Sequence, residues 1–452
     1  MHGPRAADGE PAPPAQGRAF GALRHSDFRY FWGGSIISQI GAWMQNVAQA
    51  WLVYQLTESA FFVGLNGLFH GIPFILMSLY AGTVVDRVDR RKLLICVEGF
   101  NTAVVIVIGT LVLTGNIQVW QIYLSSVCYS LAGGFESPAR NALLPHLVPR
   151  ADLMTAISLN STTRKGAQII GPALGGVFVA TFGVAGAYFI NSLGFCVLMW
   201  CLFKMRATNP PTTHVHPNPL RSIQEGIQYV RGFPLVAVLL LMEATMSVFG
   251  SYMAMMVVFA RQVFETGPAG LGLLQSAGGL GSVTGSFILA SAGDVHRKGR
   301  LLVIIGVVYS AALIAFAFSP SFLVALPLLA LVGGSDVVFG ATRSTILQLV
   351  TRSEMLGRVM SLSAISMRGL GNLGNFQTGL LATVIGVQPA LALGGLLCAV
   401  FTLGAAWRFP IIWRFVGAGG DLVEPPKERS APHGGLPAAP TGVEREQAPS
   451  HA

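Results

Sequence analysis

Long stretches of uncharged, mostly apolar residues alternate with short charged segments along most of this chain. Residues 166–203 and 369–407 contain no Asp, Glu, Lys or Arg, and each is long enough for two helical membrane spans of about 20 residues. Comparable runs predict six spans up to Lys204 and six more between Leu235 and Trp407. The pattern therefore predicts an all-α polytopic membrane protein with twelve transmembrane helices.

The two sets of spans carry related sequences at corresponding positions, which indicates an internal repeat. The matched segments are Gly82–Leu94 with Ala290–Leu302, Leu131–Glu136 with Leu331–Asp336, and Leu147–Asp152 with Leu349–Glu354. Repeats of this kind are common in secondary transporters, where two halves surround a binding site near the middle of the membrane. The sequence thus predicts two pseudo-symmetric six-helix bundles.

Shifts in composition divide the chain further. Residues 1–22 and 416–452 are polar and rich in Pro, so we expect them to form disordered cytoplasmic tails. The first bundle is expected over residues 23–205 and the second over residues 235–415. Residues 206–234 are expected to form a cytoplasmic linker that contains an interfacial amphipathic helix.

The overall composition also favours a membrane protein. Hydrophobic residues make up 52% of the chain and charged residues only 11%, against roughly 25% charged residues in soluble domains. The net charge of +9 does not indicate nucleic-acid binding, because 25 of the 29 Lys and Arg residues fall on one predicted side of the membrane. By the positive-inside rule this side is the cytoplasm. We therefore expect a multi-pass protein of the cell (inner or plasma) membrane, embedded in the lipid bilayer, with both termini in the cytoplasm.

The sequence carries no motif for enzyme chemistry. Its five cysteines lie in apolar runs without metal-ligand spacing, and its nine histidines are scattered. The glycines of residues 270–285 are not followed by the lysine of a phosphate-binding loop. A membrane-embedded enzyme or receptor is therefore disfavoured, and no cofactor or metal is expected.

The charged segment between spans two and three suggests a family. Its pattern is Gly82-x-x-x-Asp86-Arg87-x-x-Arg90-Arg91, which resembles the loop between helices 2 and 3 in the major facilitator superfamily. Where the family usually has Gly, this chain has an Asp at position 89. A weaker copy of the segment contains Asp294 and Arg297.

Two further motifs extend the resemblance. In span five, Gly171-Pro172-x-x-Gly175-Gly176 resembles the core of a motif found mainly in the superfamily's antiporters. The proline kinks the helix and the glycines allow close packing. The segments Glu136–Arg140 and Gly357–Ser361 are similar to the branch that contains enterobactin exporters and macrolide-efflux transporters. The resemblance implies a secondary transporter that works by alternating access.

Within the charged segment we expect two different roles. Asp86, at the end of helix 2, is expected to act as a gate by pairing with a cation or a helix N-terminus in one conformation only. Arg90 and Arg91 are instead expected to be solvated residues that fix the topology.

Charged and polar residues inside spans usually face a cavity or a partner. Arg164 and Arg368 lie at almost the same position of the repeat and could bind an anionic group of the cargo, or pair with structural carboxylates. Span one adds a polar stripe that includes Gln39, Trp43 and Asn46. This stripe either lines the cavity or forms hydrogen bonds between helices.

Titratable residues inside spans are candidates for proton coupling. Glu243, Glu98 and His70 are each expected to be lone groups within their spans, able to exchange a proton during a cycle. Glu136 and Asp336 occupy equivalent repeat positions near Arg140 and Arg343 and are expected to form charge-relay pairs. Because Glu136 and Arg140 are one helical turn apart, an ion pair within the helix is predicted.

Together these features predict a proton-coupled antiporter that exports a small molecule, either a drug or a siderophore-like compound. An uptake symporter or a transporter of lipid-like substrates is the alternative. The expected partners are the cargo, protons and the bilayer.

Overall fold

The computed structural model describes residues 20–206, 219–293 and 295–415 of the chain. All regular secondary structure in this part is helical. The α-helices are α1 (Ser26–Thr57), α2 (Ala60–Arg87), α3 (Arg90–Leu113), α4 (Val119–Leu143), α5 (Leu153–Lys204), α6 (Pro219–Gly232), α7 (Pro234–Phe249), α8 (Met256–Val258), α9 (Gly267–Ser291), α10 (Lys298–Ala317), α11 (Phe322–Val350), α12 (Ser353–Ile365), α13 (Gly371–Ile385), α14 (Val387–Arg408) and α15 (Pro410–Arg414). Two π-helical turns, Phe259–Val263 and Ser366–Leu370, follow α8 and α12.

Helix α5 contains two membrane spans. Gly183 interrupts it with φ 73° and ψ 177°, a backbone conformation that only glycine adopts readily. Both arms return to the same part of α1, since Gly175 packs against Met44 and Asn191 packs against Gly41. The chain therefore turns back at Gly183, as the sequence predicted for this region.

The described helices account for the twelve predicted spans. Eight helical stretches are long and apolar enough to cross a membrane, and one of them is the double span of α5. Three further segments, which are more polar, complete the two six-helix halves. They are α1, α4, and the span formed by α12 together with α13. We refer to α1–α5 as the first half and to α7–α14 as the second half. The predicted fold class is confirmed.

The sequence suggested that the charged segment between spans two and three forms a loop. Most of this segment is instead helical. Helix α2 continues to Arg87 and α3 begins at Arg90, so the connection is two residues long. The Asp89 carboxylate accepts a hydrogen bond from the Arg91 N–H at 3.0 Å and caps α3. This cap gives Asp89 a structural role at the position where Gly was expected.

Asp152 lies at the N-terminus of α5, where an aspartate commonly caps a helix. Asp152 makes no capping hydrogen bond; its Oδ2 instead lies 2.9 Å from His25 Nε2. The contact ties α5 to the short helix Gly21–Arg24, in which Ala22 is fully buried. Residues 1–19 and 416–452, which hold most of the predicted tails, lie outside the described part.

The linker helix α6 packs on the second half. Glu225 Oε2 lies 2.7 Å from Arg358 Nη2 of α12, and the Tyr229 ring stacks on Phe233, which precedes α7. The predicted interfacial helix therefore exists as a helix, and it is joined to α12.

Candidate functional site

The two ends of the helical bundle differ in chemistry. We call the end that carries Arg90 and Arg91 the basic end, and the end that carries the α1–α2 turn at Glu58 the opposite end. At the basic end, Arg91 donates from Nε to the Leu202 carbonyl at 2.7 Å and from Nη2 to the next carbonyl at 2.9 Å. Arg90 is only 6% exposed and contacts His146 at 3.0 Å. These arginines hold helix ends together, which corrects the expectation that they are merely solvated.

The structure indicates less about the roles of the other residues of the charged segment and of its weaker copy. Arg87 in the segment and Arg297 in the copy are exposed, and Gly82 lies within α2. Asp294 lies outside the described residues. For Asp86 and Arg368 only the backbone is described: Asp86 lies in the last turn of α2, and Arg368 in the π-helical turn after α12. The gating role of Asp86 stays a prediction.

Helices α2 and α13 bring the two halves into close backbone contact toward the opposite end. A methyl group added at Gly64 would lie 2.7 Å from the Asn375 carbonyl oxygen and 2.9 Å from Gly379 Cα. The same helices also meet where Gly67 faces the Asn372 carbonyl. Only residues without a side chain allow this approach.

Helices α5 and α9 make the second contact between the halves. A methyl group at Gly176 would lie 2.6 Å from the Pro268 carbonyl oxygen and 3.0 Å from Gly272 Cα. The preceding glycines of the same motif, Gly171 and Gly175, face α1 instead. With Pro172 inside the helix, the motif packs one α5 arm against both α1 and the second half.

Between these contacts and the basic end lies a series of adjoining cavities. The one nearest the opposite end has a volume of about 280 Å³. We call it the amide compartment because six carboxamide side chains line it: Asn46, Gln49, Asn66, Gln275, Asn372 and Asn375. Trp43 and His70 complete its polar wall, and both halves contribute to it.

A middle cavity of about 390 Å³ shares His70 with the amide compartment and is lined in addition by Phe74 and Ser251. A mostly apolar cavity of about 260 Å³ adjoins it beside Phe74 and is bordered by Pro138 and Ile365. The space between the halves therefore offers apolar as well as polar walls.

The fourth cavity is charged, and we call it the charged compartment. It has a volume of about 260 Å³ and is lined by Phe74, Gln39, Asn160, Glu136, Arg140 and Arg164, among others. Of the predicted cavity residues, Gln39 and Arg164 therefore lie here, while Trp43 and Asn46 lie in the amide compartment.

Arg140, which lines the charged compartment, forms a cluster with two carboxylates. Arg140 Nη2 lies 2.7 Å from Glu98 Oε1, and Arg140 Nε lies 2.8 Å from Glu136 Oε1. Arg140 Nη1 also donates to the Ser35 hydroxyl at 3.1 Å. The predicted ion pair within α4 is present. Glu98, which the sequence treated as a lone carboxylate, is completely buried and paired with Arg140.

The second half has a simpler cluster. Arg343 of α11 pairs with Glu243 of α7, and Ser363 of α12 donates to Glu243 Oε2 at 3.0 Å. All three side chains are buried. Glu243 is therefore not a lone group either, and it takes the place that Asp336 was expected to hold beside Arg343. Hydropathy alone gave no signal for this pairing, because 100 residues separate the partners.

The two clusters differ at one equivalent position of the internal repeat. Ser35 and Glu243 are 208 residues apart, which is the spacing of the two charged segments. In the first half this position carries a hydroxyl and the carboxylates come from α3 and α4. In the second half the same position supplies the carboxylate. One cluster therefore has two acids per arginine, and the other has one.

Asp336 connects the halves in a different way. It interacts electrostatically with Lys165 of α5, and Tyr252 lies near it in the second half. Lys165 follows Arg164 directly in the sequence, and neither hydropathy nor spacing indicates its partner.

A contact that the sequence analysis missed lies at the opposite end. Arg261, in the first π-helical turn, lies over Trp51 and 4.0 Å from Glu58. The available signal was topological, because Arg261 is one of the four Lys and Arg residues that fall outside the predicted cytoplasmic side. The amides of Asn66, Gln275 and Asn375 were also missed, although polar side chains inside spans are a recognised signal.

Similarity to known proteins agrees with this architecture. Residues 17–412 match the family described as transmembrane secretion effector. The enterobactin exporter EntS of Citrobacter koseri is 27% identical over 393 residues, covering 85% of this chain and 94% of the exporter. EntS of Shigella boydii serotype 4 is 25% identical and covers 78% of this chain and 86% of the exporter.

Solved structures show the same fold at low sequence identity. A bacterial homologue of the human lysosomal transporter Spinster, in an inward-facing and unoccupied conformation, is 15% identical, with a TM-score of 0.65 over 86% of this chain and 96% of that protein. The peptide transporter POT in complex with sulfate is 11% identical, with a TM-score of 0.69 over 87% of this chain and 96% of that protein. The family match covers most of the chain and these structures share its helical fold. The chain is therefore a multi-pass transporter, not an enzyme, and belongs to the transmembrane secretion effector family of the major facilitator superfamily.

Proposed function

We propose that this protein exports a small molecule across the cell membrane by alternating access, in exchange for protons. The observation that carries the proposal is the series of cavities between the two halves, with close backbone contacts on one side of it. Glycine pairs at α2–α13 and α5–α9 bring the halves together toward the opposite end. Rocking of the halves about such contacts is the common mechanism of transporters with this architecture.

The basic end is assigned to the cytoplasm by the positive-inside rule. In this orientation the close contacts between the halves lie on the outer side of the cavities, and export requires that a cargo enter them from the cytoplasm. The relatives named enterobactin exporters support export, and they favour a siderophore-like cargo. An uptake symporter, or a carrier of lipid-like compounds, is the second candidate.

Proton exchange is assigned to the Arg140 cluster on the basis of charge balance. Arg140, Glu98 and Glu136 together carry one positive and two negative charges when ionised. One proton added to this set leaves Arg140 with an ionised partner. The Arg343 cluster has a single carboxylate, so protonation of Glu243 would strand a buried cation, which is costly. The first cluster suits proton exchange, and the second suits a permanent lock.

The test is transport into inverted membrane vesicles that contain the full chain. Vesicles with an acidic interior should accumulate siderophores or other amphiphilic compounds, and an uncoupler should abolish the accumulation. In intact cells the uncoupler should raise accumulation for an exporter and lower it for an uptake symporter. Absence of pH-driven flux for every compound in the panel would contradict the proposal.

A matched pair of variants tests the coupling assignment. Glu98→Gln removes the charge but keeps an oxygen that can accept a hydrogen bond from Arg140, so pH-driven flux should be lost while exchange of cargo down its own gradient persists. The control is Glu354→Gln, at an exposed residue at the start of α12. Equal pH dependence in both variants would exclude Glu98 from proton exchange.

A further inference from the structure

The amide compartment has no Asp, Glu, Lys or Arg among its lining residues, although the charged compartment lies nearby. Its one ionisable side chain is His70. Transfer of a charged group into a buried site without a charged partner is expensive, whereas a neutral polar group can be satisfied by hydrogen bonds. A lining of this composition favours a neutral polar group over a charged one.

Two asparagines, one from each half, are held in the same way. Asn66 Oδ1 accepts from the Ser126 hydroxyl at 2.7 Å. Asn375 Oδ1 accepts from the Ser251 hydroxyl at 2.6 Å and from the Ala254 N–H at 3.4 Å. Because their oxygens are bound by the protein, the NH2 groups of both side chains are left as donors for a ligand.

Two further polar atoms lack protein partners among the described residues. Gln275, only 5% exposed, has no partner for its Oε1, and His70 has none for its Nδ1. Both side chains line the amide compartment. A buried polar atom without a partner costs about 1–3 kcal/mol, so a ligand or ordered water that reaches these atoms is favoured. With the asparagine NH2 groups, the compartment offers both donors and an acceptor.

We propose that the amide compartment binds an uncharged aromatic carboxamide or a closely similar neutral carbonyl group of the cargo. The ligand carbonyl accepts from the NH2 groups of Asn66 and Asn375, its N–H donates to Gln275 Oε1, and the ring packs against Trp43. The role of this binding site in transport rests on the proposed function. It assigns the cargo a neutral, planar polar group, oriented toward the opposite end.

Three probes of one shape and different charge test the proposal: benzamide, benzoate and benzamidine, which are neutral, anionic and cationic. Binding is measured on the purified full chain in lipid nanodiscs by saturation-transfer NMR titration. The expected result is binding of benzamide with at least about tenfold preference over both charged probes, the factor that corresponds to one hydrogen bond. Equal binding of all three probes, or no binding of benzamide, would overturn the proposal.

An isosteric substitution locates the site. Asn375→Asp keeps an oxygen for Ser251 and Ala254 but replaces the NH2 donor by a second, negatively charged oxygen. Benzamide affinity should fall about tenfold, and benzamidine should bind more tightly than it does to the parent. The control, Asn160→Asp in the charged compartment, should leave benzamide binding unchanged. Unaltered probe selectivity in Asn375→Asp contradicts the assignment.

A gain of benzamidine binding cannot arise from misfolding, which makes the test robust to a loss of stability. If Asn375→Asp fails to fold, Asn66→Asp provides the same exchange in the first half. Because binding needs no flux, the two proposals can fail separately. Benzamide binding without pH-driven transport would contradict only the proposed function, and transport without selective benzamide binding would contradict only the proposal on the cargo.

Discussion

The guanidinium carbon of Arg261 lies 5.5 Å from the centroid of the Trp51 ring. Trp51 belongs to α1 and is 8% exposed, whereas Arg261 belongs to a π-helical turn of the second half. Such turns often occur at functional sites. The contact joins the halves at the opposite end, beside the amide compartment, and it must break if that end opens.

Loss of this contact should favour opening of the opposite end. A cation–π contact at an exposed site contributes about 0.5–1 kcal/mol, so Arg261→Gln should raise the open population about two- to fivefold. The measurement is the labelling rate of Ala50→Cys, in the amide compartment, by an impermeant maleimide in a chain without its five native cysteines.

The chain offers a matched control. Arg300 of α10 lies 5.3 Å from the ring centroid of Trp413 in α15, so this contact does not involve the first half. Arg300→Gln removes the same type of contact and should leave the labelling rate unchanged. If both variants label at the rate of the parent, Arg261 does not hold the opposite end closed.

The two arginine clusters should differ in their contribution to stability. Removal of one partner from a buried ion pair costs about 3–5 kcal/mol when the other charge is left alone. Glu243→Ala leaves Arg343 with Ser363 as its remaining partner in the cluster, whereas Glu98→Ala leaves Arg140 beside Glu136. The thermal midpoint should therefore fall further for Glu243→Ala, as measured on purified protein in nanodiscs.

A double variant separates charge from packing in the second cluster. Glu243→Leu with Arg343→Met removes both charges and should recover much of the stability that Glu243→Ala loses. If the double variant is less stable than Glu243→Ala, desolvation of Arg343 is not the cause of the loss.

Glycines of α5 should differ sharply in their tolerance of a methyl group. Gly176→Ala places a Cβ against the backbone of α9, so it should lower the thermal midpoint and weaken closure at the opposite end. Gly166→Ala lies on the same helix and meets nothing within 4 Å. It should be neutral or stabilising by up to about 1 kcal/mol, because alanine favours the helix. Equal effects of the two substitutions would exclude the close contact with α9.

The cap of α3 gives a further comparison. Asp89→Ala should cost about 0.5–2 kcal/mol, and Asp89→Gly only a few tenths, because glycine is a tolerated N-cap. Asp89→Asn, which keeps an oxygen able to accept from the Arg91 N–H, provides the control. Thermal unfolding measures the loss of stability in each variant, and an equal loss in Asp89→Asn and Asp89→Ala would contradict the assigned cap.

Hydropathy and the internal repeat were sufficient to predict the fold class, the double span around Gly183 and the ion pair of Glu136 with Arg140. These features depend on composition or on residues one helical turn apart. Helices α1 and α4, which are less apolar than the eight stretches identified by length and hydropathy, carry polar cavity residues, and so do α2, α5 and α9. Polar residues inside a predicted span were therefore a signal of the cavities and not of doubtful membrane insertion.

The partners of buried charges could not be predicted in the same way. Glu98 and Arg140 are 42 residues apart, and their contact depends on how α3 and α4 are rotated about their axes. A single sequence gives spans but not these rotations. The same limit applies to Asn66 and Asn375. Which of their amide atoms are left for a ligand depends on the serine hydroxyl that donates to each amide oxygen. The contacts of Ser35 and Glu243, each with the arginine of its own half, also become visible only when the helices are packed.

The Arg140 cluster has two carboxylates and the Arg343 cluster has one, and this difference affects the energetics of the proposed transport cycle. In the proposed mechanism only the first half has a spare carboxylate, so the stoichiometry is one proton per turnover. One proton exchanged for an uncharged cargo moves one net charge across the membrane. Transport is then electrogenic, and the membrane voltage contributes about 2.3 kcal/mol per 100 mV to its driving force. A chain assembled from two copies of the first half would carry two spare acids and double that dependence.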